Sequence, residues 1–201
     1  MKPFTTLTSR AVPLLRDNID TDAIIPSREI KSVSKQGLAA GLFAGWRYTR
    51  IGEREENTSF VLNKPDYAGA LILLGGRNFG CGSSREHAVW ALVEYGFRVI
   101  IATSFNPIFR GNCIRNGLLP IALEEIPAAM ETQLLTIDLP QQFITAADGT
   151  AWAFEIDPES KDILVNGLDM ISLTLRLRDE IAAFRTADLR LRPWIYFEDK
   201  I

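Results

Sequence analysis

Ala70-Leu71-Ile72-Leu73-Leu74-Gly75-Gly76-Arg77-Asn78-Phe79-Gly80-Cys81-Gly82-Ser83-Ser84-Arg85-Glu86-His87 is the stretch on which the fold turns. Ala70 to Leu74 is an apolar run with the length of a buried strand, and Gly75-Gly76 ends it. Beyond the glycine turn, Ala88, Trp90, Ala91, Leu92 and Tyr95 mix with polar positions at helical spacing, and Gly96 stands where a helix would stop. The order is strand, glycine loop, helix. Unpaired N–H groups at the first turn of such a helix attract carboxylate or phosphate. Arg85 adds a planar fork able to hold one carboxylate with two parallel hydrogen bonds. An anion site carrying hydroxyls is one reading. The other is purely structural, because Ser83 and Glu86 fit the Ser-x-x-Glu capping box.

Several chemistries are excluded by the residues themselves. A phosphate loop of the Walker type needs Gly-Lys-Ser/Thr, whereas Gly82 is followed by Ser83 and Ser84. The dinucleotide fingerprint needs a third glycine where Arg85 stands. A hydrolase elbow needs glycine at Glu86, and the only histidine, His87, is four residues from Ser83, which argues against a Ser-His-acid triad.

At 201 residues and 47% hydrophobic content the chain can bury a core as one domain with a short appended segment. A net charge of −3 with no basic run leaves no electrostatic footprint for nucleic acid. Met1-Lys2-Pro3-Phe4-Thr5-Thr6 lacks the apolar stretch of a signal peptide, and no window approaches the roughly 20 apolar residues of a membrane span. A soluble cytoplasmic protein is expected. Of the two cysteines, Cys81 lies in the glycine loop and Cys113 some thirty residues on. Zinc and iron–sulfur sites usually ask for three or four soft ligands, so the chain is expected to bind no metal through its own cysteines. Cys113 reads as a small buried hydrophobe and Cys81 as packing under the loop.

Working outward, Ala11 to Leu15 reads as an opening strand that runs into Asp17-Asn18-Ile19-Asp20-Thr21-Asp22-Ala23-Ile24-Ile25-Pro26. Three acids in six residues fit Asx turns, or a carboxylate that reaches Arg85; the calcium pattern of an EF-hand is not met. Gly37, Gly41 and Gly45 among Leu38, Leu42 and Phe43 suit short helical turns. Phe97 to Ala102 gives a strand, Asn106-Pro107 starts a helix that ends near Gly117, and Leu118 to Leu123 gives a third strand. Three strands separated by helices predict a parallel or mostly parallel sheet flanked by helices, whose binding sites favour the carboxyl ends of strands. Residues 128–133 read as helix, Leu134 to Leu139 as strand, and the segments around Asp148-Gly149 as a hairpin. Beyond Asn166-Gly167, Leu168 to Phe184 reads as helix, interrupted near Arg178-Asp179-Glu180, and Arg190 to Ile201 as a charged, aromatic tail suited to a subunit contact.

Gly80-Cys81-Gly82-Ser83-Ser84-Arg85-Glu86-His87 resembles the Gly-x-Gly-Ser-Ser-Arg-Glu-His signature of the aconitase superfamily's swivelling domain. Over about 170 residues the chain is similar to the small subunits of bacterial 3-isopropylmalate dehydratases, or isopropylmalate isomerases. The similarity lies in residues 17–26, Gly45-Trp46-Arg47-Tyr48, Phe60-Val61-Leu62-Asn63, Tyr95 to Ala102, Asn116 to Ile121 and Asn166-Gly167-Leu168-Asp169. The resemblance implies an α/β swivelling β/β/α domain over residues 1–165, with a helical C-terminal segment, 166–201, packed on it or on the partner subunit. It implies no cofactor on this chain and a 4Fe-4S cluster on a separate large subunit. It also implies a hydro-lyase that isomerises 2-isopropylmalate and 3-isopropylmalate, small dicarboxylates of leucine biosynthesis, by dehydration and rehydration. In the same terms Ser83 is the base, Arg85 grips a substrate carboxylate, Ser84 and the backbone around Gly82 add donors, and Asp22 orients Arg85 or a partner-chain histidine. His87 reads as structural. After Pro26 the family reads the substrate's side group; in Ser27-Arg28-Glu29-Ile30-Lys31 only Ile30 is apolar, with Leu38 a further candidate. A sister dehydratase acting on homoaconitate or a methyl-substituted malate, and a stand-alone carboxylate-binding module, are the alternatives.

Overall fold

The first strand, β1 (Thr6–Leu14), is two strands in one. Its first half, Thr6 to Arg10, pairs antiparallel with β5, whereas Ala11 to Leu14 pair in parallel with β2. The computed structural model describes residues 1–31, 33–83 and 85–196. In chain order β1 is followed by α1 (Thr21–Ile24), α2 (Ala44–Arg47), β2 (Ile72–Gly75), α3 (Glu86–Tyr95), β3 (Val99–Ala102) and α4 (Pro107–Arg115). Then come β4 (Leu119–Ala122), α5 (Ala129–Thr132), β5 (Leu134–Asp138), β6 (Phe143–Ala146), β7 (Ala151–Ala153) and α6 (Pro158–Asn166). The C-terminal helices are α7 (Met170–Leu175) and α8 (Arg178–Leu191).

Among the described residues the strands form one seven-stranded sheet in the order β4-β3-β2-β1-β5-β6-β7. The mixed α/β class expected from the sequence is present, but the sheet is parallel in only half of its pairings. β1 to β4 pair in parallel, and β1-β5-β6-β7 run antiparallel. Side-chain patterning explains the division. Every residue of β2 and β3 is buried, the continuous apolar run of strands covered on both faces. Buried Leu135, Ile137, Ile144 and Ala146 alternate with partly or fully exposed neighbours in β5 and β6, as in a sheet with one solvated face. β4 is an edge strand, so the missing N–H of Pro120 costs the ladder little.

α3 and α4 cross between the parallel strands, and the core gathers Leu73, Ile100, Val89, Leu92, Phe97 and Phe109 between sheet and helices. α3 buries Ala88, Val89, Ala91 and Leu92 and stops at Gly96, whose φ of 123° suits glycine. In α4 the Asn106 side chain accepts from the N–H of Ile108 and Phe109, with Pro107 at the first helical position. Helix α6 was not expected from the sequence, although Asp157 caps it by accepting from Ser160 N and Pro158 opens it.

The fold divides into two units, Met1–Gly167 and Leu168–Ile201. The second holds α7, capped by Asp169, and α8, which runs on to Leu191 where a charged tail was expected to begin at Arg190. Among the described residues no helix is long and apolar enough to cross a membrane.

Candidate active site at the glycine turn

The register Leu14↔Gly75 brings the carboxyl ends of β1 and β2 together, so the acidic loop after β1 and the glycine turn after β2 leave the sheet side by side. The two loops then lace together. Gly80 N donates to Ile19 O at 2.7 Å, Thr21 N to Cys81 O at 3.0 Å, and Asn18 N to Arg77 O at 2.7 Å. Thr21 Oγ1, almost wholly buried, donates to Ser83 O at 2.5 Å. Gly80, at φ +75°, admits no side chain, because a Cβ there would overlap the ring of Phe109. Gly82, at φ +84°, lies against Asp20. Phe79, fully buried against Phe105 and Phe109, pins the turn to the core.

The capping box is not made. Arg85 occupies the N-cap of α3 with no side-chain cap among the described residues, and Glu86 instead accepts from Asn116 Nδ2 at 2.7 Å. The N–H of Ala88 donates to Arg85 O at 3.1 Å, and among the described residues no side chain caps those of Glu86 and His87, which face the turn free for another acceptor. Ser83 is exposed, and its hydroxyl bonds to none of the described residues. The guanidinium of Arg85 is fixed by the acidic loop, since its Nη1 donates to Asp22 Oδ1 at 2.6 Å and to Ser27 Oγ at 2.6 Å. Ser27 in turn donates to Asp22 at 3.3 Å. The contact between the acidic loop and Arg85 is thus present, and both of its named bonds use one nitrogen of the fork. An exposed hydroxyl, a tethered guanidinium and open helix N–H groups suit a carboxylate-bearing substrate beside a base.

Ser84, expected among the donors, lies outside the described residues. Ile30 is half-buried and packs against the core, and Leu38, 2% exposed, is part of that core and unavailable to a ligand. Glu29 is buried in an ion pair with Arg54 at 2.6 Å, and its hydrogen bond holds the Arg54 proton more firmly than usual. His87 packs tilted against Trp90, with ring centres 4.7 Å apart and planes at 59°. Cys113 is fully buried, which pushes its thiol pKa well up. Among the described residues no group of three His, Cys, Asp or Glu side chains could hold a metal ion.

Sequence reasoning missed three residues that shape this region. Thr21 and Ser27 act across 62 and 58 positions of sequence, and only their place in the acidic loop could have suggested them. Glu94 accepts from the N–H groups of Gly37, Leu38 and Ala39 at 2.5–2.8 Å, clamping the 37–39 segment to α3. Burial pushes its carboxyl up, but these donors outweigh it and hold the group below a glutamate's ordinary 4.5.

Comparison with known proteins points the same way. The family model of the aconitase C-terminal domain matches residues 1–126, and the LeuD_N model matches residues 128–158. The chain is 53% identical to a 3-isopropylmalate dehydratase small subunit of Cupriavidus necator, over 98% of this chain and 100% of the relative. It is 52% identical to one of Aromatoleum aromaticum, over 98% and 99%. Among solved structures, the 3-isopropylmalate dehydratase of Methanocaldococcus jannaschii superposes with a TM-score of 0.66 at 28% identity, covering 90% of this chain and 99% of that one.

Proposed function

The chain belongs to the family of 3-isopropylmalate dehydratase small subunits, and from that membership we propose how it works as half of a two-chain hydro-lyase. The reaction interconverts 2-isopropylmalate and 3-isopropylmalate by dehydration and rehydration in leucine biosynthesis, in the cytoplasm. The large subunit holds the 4Fe-4S cluster, which supplies Lewis acidity at the substrate hydroxyl. Residues 1–165 form the swivelling domain that closes over it.

Ser83 removes the proton from the carbon next to the hydroxyl-bearing carbon. A free serine hydroxyl is a poor base, so the site stabilises the alkoxide with the N–H groups of α3 and the Arg85 charge. Arg85 grips a substrate carboxylate through the part of its fork that Asp22 and Ser27 leave unbound. Ser84 and the backbone at Gly82 add donors, and Ile30 lends apolar surface toward the isopropyl group. The observation that carries this reading is the exposed Ser83 hydroxyl two residues from a guanidinium anchored by Asp22.

Reconstitution tests it. With the matching large subunit the wild type dehydrates isopropylmalate, and alone it does not. Ser83→Ala assembles normally and loses about 10²–10⁴-fold in kcat, the typical range for general-base loss. Undiminished turnover by the assembled Ser83→Ala complex removes Ser83 from the chemistry.

A further inference from the structure

The capping box written in the sequence at Ser83 and Glu86 is withheld at both of its ends. Ser83 O accepts from Thr21 Oγ1, where a capping serine would offer that carbonyl to the first turn of its own helix. The Glu86 carboxylate accepts from Asn116, the residue that ends α4.

Asn116 holds Glu86 in one geometry. Its Nδ2 donates to Glu86 Oε1 at 2.7 Å and to Asn112 O at 2.9 Å, while its Oδ1 accepts from Trp90 Nε1 at 3.0 Å and from Lys35 Nζ at 3.2 Å. The indole and ammonium groups can only donate, and the carboxylate and carbonyl only accept, so the amide has a single orientation. Its backbone N–H turns back onto Asn112 O and onto the carbonyl of fully buried Cys113, which ties the amide to the core. Trp90 lies one helical turn beyond Glu86, so the amide bridges two neighbours on one face of α3.

A carboxylate at the first position of a helix is drawn to the unpaired N–H groups of that turn and to a nearby cation. Here those partners are the site itself: the N–H groups of Glu86 and His87, and the guanidinium of Arg85. Tethered one residue from Arg85, a released Glu86 side chain stands at an effective concentration of millimolar order. Closing the capping box would also engage the Ser83 hydroxyl. A free Glu86 therefore competes with the substrate carboxylate and occupies the base.

We propose that Asn116 is a positioning residue of the reaction, which by holding the Glu86 carboxylate at the end of α4 keeps the Ser83 hydroxyl and the first turn of α3 open to substrate. The inference rests on the two-chain reading above. Asn116 acts through Glu86 and not on the reacting atoms.

The test is steady-state dehydration of isopropylmalate by the full-length chain with its matching large subunit. Asn116→Asp keeps the shape of the side chain and an acceptor for Trp90 and Lys35 but repels Glu86, and kcat/KM falls about tenfold, the typical strength of a helix N-cap. Glu86→Ala, which keeps the backbone N–H, stays within about twofold of wild type. The double variant Asn116→Asp/Glu86→Ala returns to that level because no carboxylate is left to compete, a rescue that a merely structural role of Asn116 does not give. Asn116→Asp within twofold of wild type overturns the inference. So does a loss that persists in the double variant, in turnover or in pairing with the large subunit, and so does a tenfold loss on Glu86→Ala alone. A wild-type pair that does not dehydrate isopropylmalate overturns the two-chain reading and this inference with it.

Discussion

Replacing Asp22 by alanine removes the carboxylate 2.6 Å from Arg85 Nη1 and leaves Ser27 Oγ, also at 2.6 Å, as the remaining named tether. The side chains are 55% and 27% exposed, so the pair resembles a surface ion pair, worth about 0.2–1 kcal/mol to stability. For a domain of this size that shifts Tm by roughly 4 °C at most. The effect on the reaction is larger. A free arginine side chain holds about 2 kcal/mol of rotamer entropy, which a fork freed of both tethers loses when it closes on the substrate carboxylate. Two kcal/mol corresponds to about 30-fold in kcat/KM, the upper limit for Asp22→Ala because Ser27 still holds Nη1. The grip acts on substrate and transition state alike, so the loss falls on KM with kcat nearly unchanged. The assay is steady-state dehydration by the reconstituted complex, followed by absorbance of the unsaturated product, beside a thermal melt of the isolated chain. A kcat/KM within twofold of wild type, or a Tm drop beyond about 5 °C with KM unaltered, refutes the tether as a positioning device.

Thr21→Val keeps the shape of a buried side chain but removes the donor to Ser83 O; the lost bond costs about 1 kcal/mol, and kcat falls severalfold while KM holds. A lower Tm with kcat intact would reduce Thr21 to a structural residue. Glu94→Gln tests the clamp on residues 37–39 through pH. The folded-state pKa is depressed, so the stabilisation by wild-type Glu94 is fully present above about 4.5 and fades as pH falls through the lower folded value. The Tm gap between wild type and variant is therefore wide at pH 7 and closes toward pH 3; a gap that grows on acidification contradicts the clamp.

Local signals were readable and distant ones were not. The order from Ile72 through the glycine turn to Tyr95, and Asn106-Pro107 as a helix start, rest on residues within a few positions of one another. The Ser83–Glu86 capping box misled because the helix begins at Glu86 itself, a one-turn choice that Asn116, thirty residues away, helps decide. In the antiparallel half of the sheet the hairpin expected around Asp148-Gly149 is present as β6 and β7, whereas the pairing of β5 with β1 and β6, though written in the alternation of Leu135, Ile137 and Ile144, was not read. β1 was half seen because Thr6 to Arg10 is polar on one face and gains its partner, β5, only 128 residues later. Leu38 looked available to a substrate because nothing local reveals that Glu94 draws its segment onto α3.

The exposure of Ser83 also bears on why the site is only half built. In open water a hydroxyl keeps its proton, and the pull of Arg85 and of the first turn of α3 is weakened by the surrounding dielectric. Enclosure by a partner strengthens those same interactions without moving a residue of this chain, because expelled water no longer competes for the anion. On the two-chain reading proposed above, enclosing the open Ser83 hydroxyl is the large subunit's contribution, and this chain supplies the groups that the enclosure strengthens. A chain that bound dicarboxylate tightly and turned it over alone would break that link, because its base would be working in the solvent that the argument says disables it.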